Sequence, residues 1–211
     1  MSKKIVYGWA PSKLDGSEQE FNSIQNFNIP EEYSFVNYLP AVEDQGDTNM
    51  CVTYSLTAHL DWNYNVDHTK DNKSFNHIDK DKMYSIRSNK YVDAGMTFKE
   101  ALNFLKKTGV PSDHGLIKIE RYMKINNLLA LKQALLLNGP CIAGLFVKNP
   151  YITEFWNGSQ NFGGHAVAIV GYNKEGFIIR NSWGTSYGNN GYSILKYKDF
   201  NKVIECWTII D

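Results

Sequence analysis

The sequence predicts an α+β fold with two lobes, in which helices come first and antiparallel strands follow. Before Pro140, apolar side chains recur at helical spacing, most clearly in the stretch that begins at Cys51. After Pro140, short apolar runs alternate with turns rich in Asn and Gly, which is typical of antiparallel strands. Because the two patterns are segregated, they favour an α+β fold over an alternating α/β fold, with a cleft between the lobes as the natural place for a site.

Boundary residues support the individual elements. The third predicted helix has Thr97 as a cap at its start, Gly109 at its end and Pro111 just beyond. The fourth ends at Asn138-Gly139-Pro140. The predicted helices cover residues 51–64, 79–91, 98–108 and 128–137, and the predicted strands cover residues 141–147, 165–172, 176–180, 191–197 and 205–210.

The first 28 residues are polar and weakly patterned, and we interpret them as an N-terminal extension of one domain that covers residues 29–211. A short strand is predicted at residues 4–7. The extension lacks the helical pattern of a long inhibitory prodomain. We therefore expect it to pack on the body of the domain and stabilise it, without closing the cleft.

Composition excludes several functional classes. The 211 residues carry no formal net charge, so nothing favours binding to nucleic acid or to an anionic membrane. No apolar run is long enough for a signal peptide or a spanning helix, which indicates a cytoplasmic protein, or a virion or host-cytoplasm protein if the source is viral. Three widely spaced cysteines without a CxxC pair argue against a disulfide framework and a structural zinc site.

Three separate stretches carry the residue types of an acyl-transfer site. Each residue alone has an ordinary structural explanation, such as a buried thiol, a turn-forming Asn or a core aromatic. Together they supply a thiol at a helix N-terminus, where the helix dipole favours the thiolate, an imidazole, and carboxamides that could orient the imidazole or donate hydrogen bonds. The stretches contain Gln45 with Cys51, then His165, then Asn181 with Trp183.

These stretches resemble the sequence motifs of papain-like cysteine peptidases. Residues 163–172 and 181–192 are similar to the His and Asn motifs of that family, and Gln45-Gly46 with Cys51 is similar to its Gln and Cys motif. Residues 29–33 resemble the start of a mature papain-like domain. The resemblance implies a papain-like two-lobed fold, with a helical left lobe, an antiparallel β-sheet or barrel in the right lobe, and the active site between them.

The resemblance also implies a role for each residue. Cys51 would be the nucleophile, paired as a thiolate with the imidazolium of His165, which acts as base and then as acid. Asn181 would accept a hydrogen bond from the other ring nitrogen, under the cover of Trp183. The Gln45 side chain and the Cys51 backbone N–H would form the oxyanion hole. No metal or organic cofactor is implied.

The implied partner is a peptide or protein substrate of a monomeric enzyme. Gly95, Met96 and Gly164 would line the cleft and offer backbone groups to an extended peptide, as an added strand does. The sequence departs from the family beside the nucleophile, since Thr48 replaces the usual disulfide-forming Cys and Val52 the usual aromatic residue. The spacing from Cys51 to His165 is also shorter than the family's roughly 130–150 residues. Together these departures indicate a short, disulfide-free member of bacterial or viral type with an undefined side-chain preference.

Three functions remain open at this point. The complete motif set favours a cysteine endopeptidase that hydrolyses peptide bonds through a Cys51 thioester. A catalytically silent peptide-binding homologue on the same scaffold is the first alternative, because a fold does not fix a function. A transpeptidase or acyltransferase that hands the thioester to an amine is the second.

Overall fold

The computed structural model describes residues 6–68, 77–91, 94–147 and 163–211, with only the backbone of Asp67 and His68. Four α-helices lie within these ranges and match the four predicted positions. They are α1 (Cys51–His68), α2 (Lys80–Ser85), α3 (Phe98–Lys107) and α4 (Leu128–Asn138).

Local sequence explains where the helices begin and end. A full capping box starts α3, because the Thr97 hydroxyl accepts from the Glu100 N–H while the Glu100 carboxylate accepts from the Thr97 N–H. The predicted second helix is too long. Asp79 caps α2 at its start, but the Arg87 N–H turns back to the Tyr84 carbonyl and ends the helical pattern.

The strands form one large antiparallel sheet and one small hairpin. The sheet has the order β4-β9-β5-β6-β7-β8, and β1 pairs with β6 outside this path, while β2 pairs with β3. The five strands predicted after Pro140 are all present, whereas the short strands β1 to β4 were not predicted. The strands are β1 (Tyr33–Ser34), β2 (Val110–Ser112), β3 (Gly115–Ile117), β4 (Arg121–Lys124), β5 (Cys141–Phe146), β6 (Gly164–Tyr172), β7 (Gly176–Arg180), β8 (Tyr192–Lys196) and β9 (Val203–Ile210).

Helix α1 contributes to two hydrophobic clusters of the described residues. Leu56 and Leu60 pack with α3, whereas Ala58 and Trp62 pack with α4 and the large sheet. Each fully buried leucine contributes about 1.5–3 kcal/mol to folding. The first residue of α1 is therefore held between a helical lobe and a sheet lobe, as the predicted α+β fold requires. None of the helices in the described ranges is long and apolar enough to cross a membrane.

The N-terminal extension follows the surface of both lobes. Phe21 donates its backbone N–H to the Lys124 carbonyl, and the Lys99 ammonium contacts Glu18 at 2.5 Å. The predicted strand at residues 4–7 lies partly outside the described residues, and Val6 and Tyr7 belong to no strand. Packing on the body is therefore as expected. The expectation that the extension leaves the cleft open is wrong, because residues 6–10 run through it.

Candidate active site

Cys51 is the first residue of α1 and is fully buried. Its Sγ accepts a hydrogen bond from the Ala166 backbone N–H at 3.4 Å, so the thiol lies against strand β6 next to His165. The start of α1 and the start of β6 therefore bring together two residues that are far apart in sequence. The pairing of a Cys51 nucleophile with the His165 imidazole stays a prediction, which this juxtaposition supports.

The imidazole of His165 is oriented by Asn181 and covered by Trp183. His165 Nε2 donates to Asn181 Oδ1 at 2.9 Å, and both side chains are buried. The Trp183 ring is stacked on the imidazole, with 4.6 Å between centroids and 25° between planes. An indole in this position excludes water, which strengthens the hydrogen bond by lowering the local dielectric. Asn181 and Trp183 therefore lie next to His165 in the arrangement that the resemblance implies.

Gln45 is also buried and is joined to Ser182, the residue after Asn181. Its backbone N–H donates to the Ser182 carbonyl at 2.8 Å, and its Oε1 accepts from the Ser182 hydroxyl. Its Nε2 donates to the Thr48 carbonyl at 2.7 Å and to the Val6 carbonyl at 3.2 Å. The resemblance assigns the Gln45 side-chain amide to an oxyanion hole. In this structure the amide nitrogen already donates to carbonyl oxygens of the chain itself.

Residues 6–10, here called the cleft segment, pass directly over the site. Gly8 accepts from the Met96 N–H at 2.8 Å, and the Ala10 N–H donates to the Met96 carbonyl at 3.1 Å, as in a parallel strand. On the other side, the Trp9 N–H donates to the Gly164 carbonyl at 3.0 Å. The backbone groups of Met96 and Gly164 that the sequence assigns to substrate thus bind the chain's own segment.

Glycines allow this close approach. A Cβ on Gly8 would lie 1.9 Å from the Asn49 carbonyl oxygen, and a Cβ on Gly164 would lie 2.2 Å from the Trp9 carbonyl oxygen. A Cβ on Gly95 would lie 3.0 Å from the Gly8 carbonyl oxygen. The predicted cleft residues Gly95 and Gly164 therefore face the segment with bare backbone.

Two aromatic side chains of the cleft segment seal the site. The Tyr7 ring meets the His165 ring edge to face at 6.2 Å and the Trp183 ring at 6.4 Å. Trp9 is buried and packs against Phe98 and Phe146, with centroids 6.0 and 5.6 Å apart. Sequence analysis missed these contacts, because the only available signal was the pair of aromatics around Gly8.

Burial shifts the pKa values of Cys51 and His165 in opposite directions. Burial raises the pKa of the Cys51 thiol to about 11, although backbone N–H groups of Ala166 and Gly8 oppose the rise. Burial lowers the pKa of His165 to about 4, opposed by its hydrogen bond to Asn181. Both shifts favour neutral groups, so the expected thiolate–imidazolium pair is wrong for the closed form, in which the segment excludes the water that would solvate the charges.

No three His, Cys, Asp or Glu side chains of the described ranges cluster in a way that could hold a metal ion. The side chains described at the site offer a thiol, an imidazole and two carboxamides. A thiol beside an imidazole that a third group orients is the general arrangement of an activated nucleophile, and a primary amide can stabilise an oxyanion.

Comparison with known proteins agrees with this arrangement. The model of the papain family of cysteine proteases matches residues 71–206, which include His165 and Asn181 but begin after Cys51. Cysteine proteinase 3 of Entamoeba histolytica is 25% identical over 204 residues, which cover 79% of this chain and 62% of the relative. An uncharacterised peptidase C1-like protein of Acanthamoeba polyphaga mimivirus is 34% identical over 94 residues, which cover 37% of this chain and 30% of the relative. These alignments span less than two thirds of either relative.

The fold comparison covers nearly the whole chain. The crystal structure of xylellain, a cysteine protease from Xylella fastidiosa, superposes with a TM-score of 0.81 at 22% identity and covers 99% of this chain and 97% of that one. The helical lobe, the antiparallel sheet and the cleft between them thus form the papain-like two-lobed fold. The family match covers more than half of the sequence, and the chain belongs to the papain family of cysteine proteases.

Proposed function

We propose that this protein is a cysteine endopeptidase that hydrolyses peptide bonds through a Cys51 thioester, and that the structure is its closed, latent form. The observation that supports this proposal is the convergence of Cys51, the hydrogen-bonded His165–Asn181 pair and Gln45 in one buried cleft. These are the kinds of group that acyl transfer needs.

The residues suit a two-step reaction. The Cys51 sulfur attacks the carbonyl carbon of the substrate, and the thiol proton passes to His165. The carbonyl oxygen becomes an oxyanion that the Gln45 side chain and the Cys51 backbone N–H stabilise. Collapse of this intermediate breaks the C–N bond, and His165 protonates the leaving amine. Water, deprotonated by His165, then hydrolyses the thioester and restores the thiol.

The cleft segment has to leave before a substrate can bind. Its Val6 carbonyl occupies the Gln45 donor, and its Gly8 and Trp9 occupy the backbone groups of Met96 and Gly164. An extended peptide would take over these same hydrogen bonds when the segment is displaced. The proposed substrate class is therefore a peptide or an unfolded stretch of protein.

We also propose a reducing compartment and a monomeric state for this protein. Cys51, Cys141 and Cys206 are all buried free thiols, which suits a reducing compartment such as the cytoplasm. A monomer is consistent with an active site whose proposed groups all come from one chain.

Cleavage of a denatured protein substrate by the full-length chain tests the proposal. The Trp9→Ala variant removes the main anchor of the cleft segment and should cleave faster than the parent, while Cys51→Ala in the same background should cleave nothing. Leu14→Ala is the matched control, because Leu14 is an exposed residue of the same extension. A folded Trp9→Ala chain that neither cleaves nor reacts with a thiol-directed epoxide would contradict the proposal and favour a silent binding protein. Product analysis with an added amine separates hydrolysis from acyl transfer.

A further inference from the structure

Ser182 connects the two carboxamides of the site. It follows Asn181 directly in the sequence and is buried. Its N–H donates to Asn181 Oδ1 at 2.8 Å, its carbonyl accepts from the Gln45 N–H at 2.8 Å, and its hydroxyl donates to Gln45 Oε1. The reaction described above uses both amides but gives the hydroxyl of Ser182 no role. This hydroxyl is the one of the three groups that a substitution removes without altering the backbone.

The Ser182 hydroxyl holds the part of Gln45 that the backbone contact does not reach. The bond between the Gln45 N–H and the Ser182 carbonyl fixes the main chain, but several rotatable bonds separate the main chain from the carboxamide. An oxyanion donor has to be held in place before the reaction, because its effect requires a distance of about 2.7–3.1 Å to the developing charge. A contact on the carboxamide itself meets this requirement.

The two ends of the Gln45 carboxamide have different partners. Only the oxygen accepts hydrogen bonds, and only the nitrogen donates them, through two protons. Nε2 donates to the Thr48 carbonyl at 2.7 Å and to the Val6 carbonyl at 3.2 Å, while Oε1 accepts from Ser182. Val6 belongs to the cleft segment, whereas Thr48 and Ser182 lie outside it. Departure of the segment would leave the amide held at both ends, with one N–H free for an oxyanion.

The same residue relates this donor to the imidazole. Asn181 Oδ1 accepts from His165 Nε2 at 2.9 Å and also from the Ser182 N–H. Ser182 therefore contacts both the carboxamide that orients the imidazole and the carboxamide assigned to the oxyanion. Acyl transfer needs the two groups to act on one bound substrate, so their relative position matters as well as the orientation of each.

We propose that Ser182 is a positioning residue for the peptidase reaction: its hydroxyl holds Gln45 Oε1, so that one N–H of Nε2 is presented to the oxyanion. The effect on catalysis rests on the proposed function, but the fixed orientation of the amide does not. Ser182 touches no reacting atom, and its hydroxyl acts on the transition state through Gln45.

The first test measures the mobility of the Gln45 amide by NMR of the full-length chain with ¹⁵N-labelled glutamine. The Gln45 signal is the one that disappears in Gln45→Ala. Exchange of the Nε2 protons with water requires that the buried amide turn outward, which breaks the bond to Ser182. Ser182→Ala should therefore speed this exchange by about 2- to 10-fold, the effect of one lost hydrogen bond.

Two further variants make this test decisive. Ser55→Ala is the matched control, because Ser55 is equally buried and its hydroxyl donates to the Val52 carbonyl within α1. Ser182→Cys has only a weak S–H donor, so it should show the same faster exchange and covers the case in which the Ala variant folds poorly. Exchange that is equal in the parent, Ser182→Ala and Ser182→Cys would overturn the proposal.

The second test is a double-mutant cycle for kcat in the Trp9→Ala background, with the full chain and a peptide substrate. With Gln45 in place, Ser182→Ala should lower kcat by about 2- to 10-fold and leave KM unchanged, because the lost contact supports a donor used in the transition state. Combined with Gln45→Ala, it should cause no further loss. Ser182→Thr keeps the hydroxyl and should restore the rate.

The outcomes of the cycle separate the two proposals. An equal loss of kcat with and without Gln45 would mean that Ser182 acts independently of the oxyanion donor, which would contradict the catalytic part. If the Trp9→Ala chain cleaves nothing, the proposed function fails, and the exchange of the Gln45 amide still decides the role of Ser182.

Discussion

Trp183 and the cleft segment cover Cys51 and His165 in different ways. On the sheet side, Trp183 is close to β7 in a loop fixed by the backbone hydrogen bonds of Asn181 and Gln45. On the other side, the cleft segment is attached by isolated hydrogen bonds and by one buried indole, without belonging to any sheet. The Trp183 cover is part of the fold. The cleft segment is held in the manner of a bound peptide, although it belongs to the same chain. This difference predicts that the site belongs to the fold, whereas its closure can be reversed.

The largest effect on the proposed active site is expected from the Gln45→Ala variant. Loss of one oxyanion donor should reduce kcat by about 10²–10³ in a chain with the segment loosened by Trp9→Ala. The measurement is initial-rate kinetics with a fluorogenic peptide. Gln133→Ala serves as a control, because this buried glutamine binds the Ile24 backbone away from the cleft. An effect on KM alone would mean that Gln45 only binds substrate.

The cleft segment should be displaced more often when a single methyl group is added to it. Gly8→Ala places a Cβ against the Asn49 carbonyl, and overpacking of this kind costs about 1–3 kcal/mol. If the cost falls on the closed form alone, the open population rises about 5- to 150-fold, since 1.4 kcal/mol corresponds to a factor of ten. The rate of Cys51 alkylation by iodoacetamide reports this population. Unchanged alkylation with an unchanged melting temperature would contradict a removable segment.

The closed form should be most stable between the ordinary pKa values of its two buried groups. The pKa of His165 is lowered from 6.5 to about 4, so the closed form loses stability as the pH falls from 6.5 towards 4, where only an open site binds the proton. The pKa of Cys51 is raised from 9.0 to about 11, so the closed form also loses stability as the pH rises from 9 towards 11.

The fraction of open chain should accordingly grow by up to about tenfold per pH unit inside either window, with a minimum between them. Protease sensitivity of the cleft segment, measured with a protease active across the range, follows this fraction. A His165→Gln variant should lose the acid response and keep the alkaline one. An acid response that survives in His165→Gln would assign the effect to another group.

The weakest effect is expected at the far anchor of the extension. Lys99 contacts Glu18 and, at 3.8 Å, Asp15, and this contact with Lys99 is the largest cause of the lowered pKa of Glu18. Lys99→Met should raise the open population only slightly, and added salt should reduce the difference, because the part-buried pair lies at the surface, where ion pairs contribute little and are screened. Lys106→Met, on the same helix, is the matched control. A rise in the open population as large as that of Gly8→Ala would mean that the contacts of Lys99, and not those in the cleft, mainly stabilise the closed form.

Local signals explain which parts of this protein were predictable. Thr97 and Glu100 specify the start of α3 from four consecutive residues, and the apolar runs after Pro140 specify five strands. The candidate site residues could be named for a similar reason, since the motifs around His165 and Asn181 are continuous in sequence. In these cases the determining interactions lie within a few residues of one another.

The rest depended on contacts that no local pattern encodes. The Val6 carbonyl meets the Gln45 side chain 39 residues later, and Trp9 lies in a pocket formed mainly by residues of the helical lobe and the sheet. The apolar residues of the extension do not recur at helix or strand spacing, so no local pattern predicts where the extension packs. The protonation of Cys51 was wrongly predicted for the same reason, because its pKa follows from burial by a segment whose position was unknown.

The complete burial of Cys51 has a consequence for the chemical lifetime of the protein. Oxidation of a cysteine to sulfenic and then irreversibly oxidised acids requires an exposed thiolate, and the closed form offers neither exposure nor the ionised sulfur. A stored population of closed chains should therefore keep its nucleophile intact through oxidative stress that inactivates open chains. Closure would then serve to preserve the enzyme as much as to restrain it.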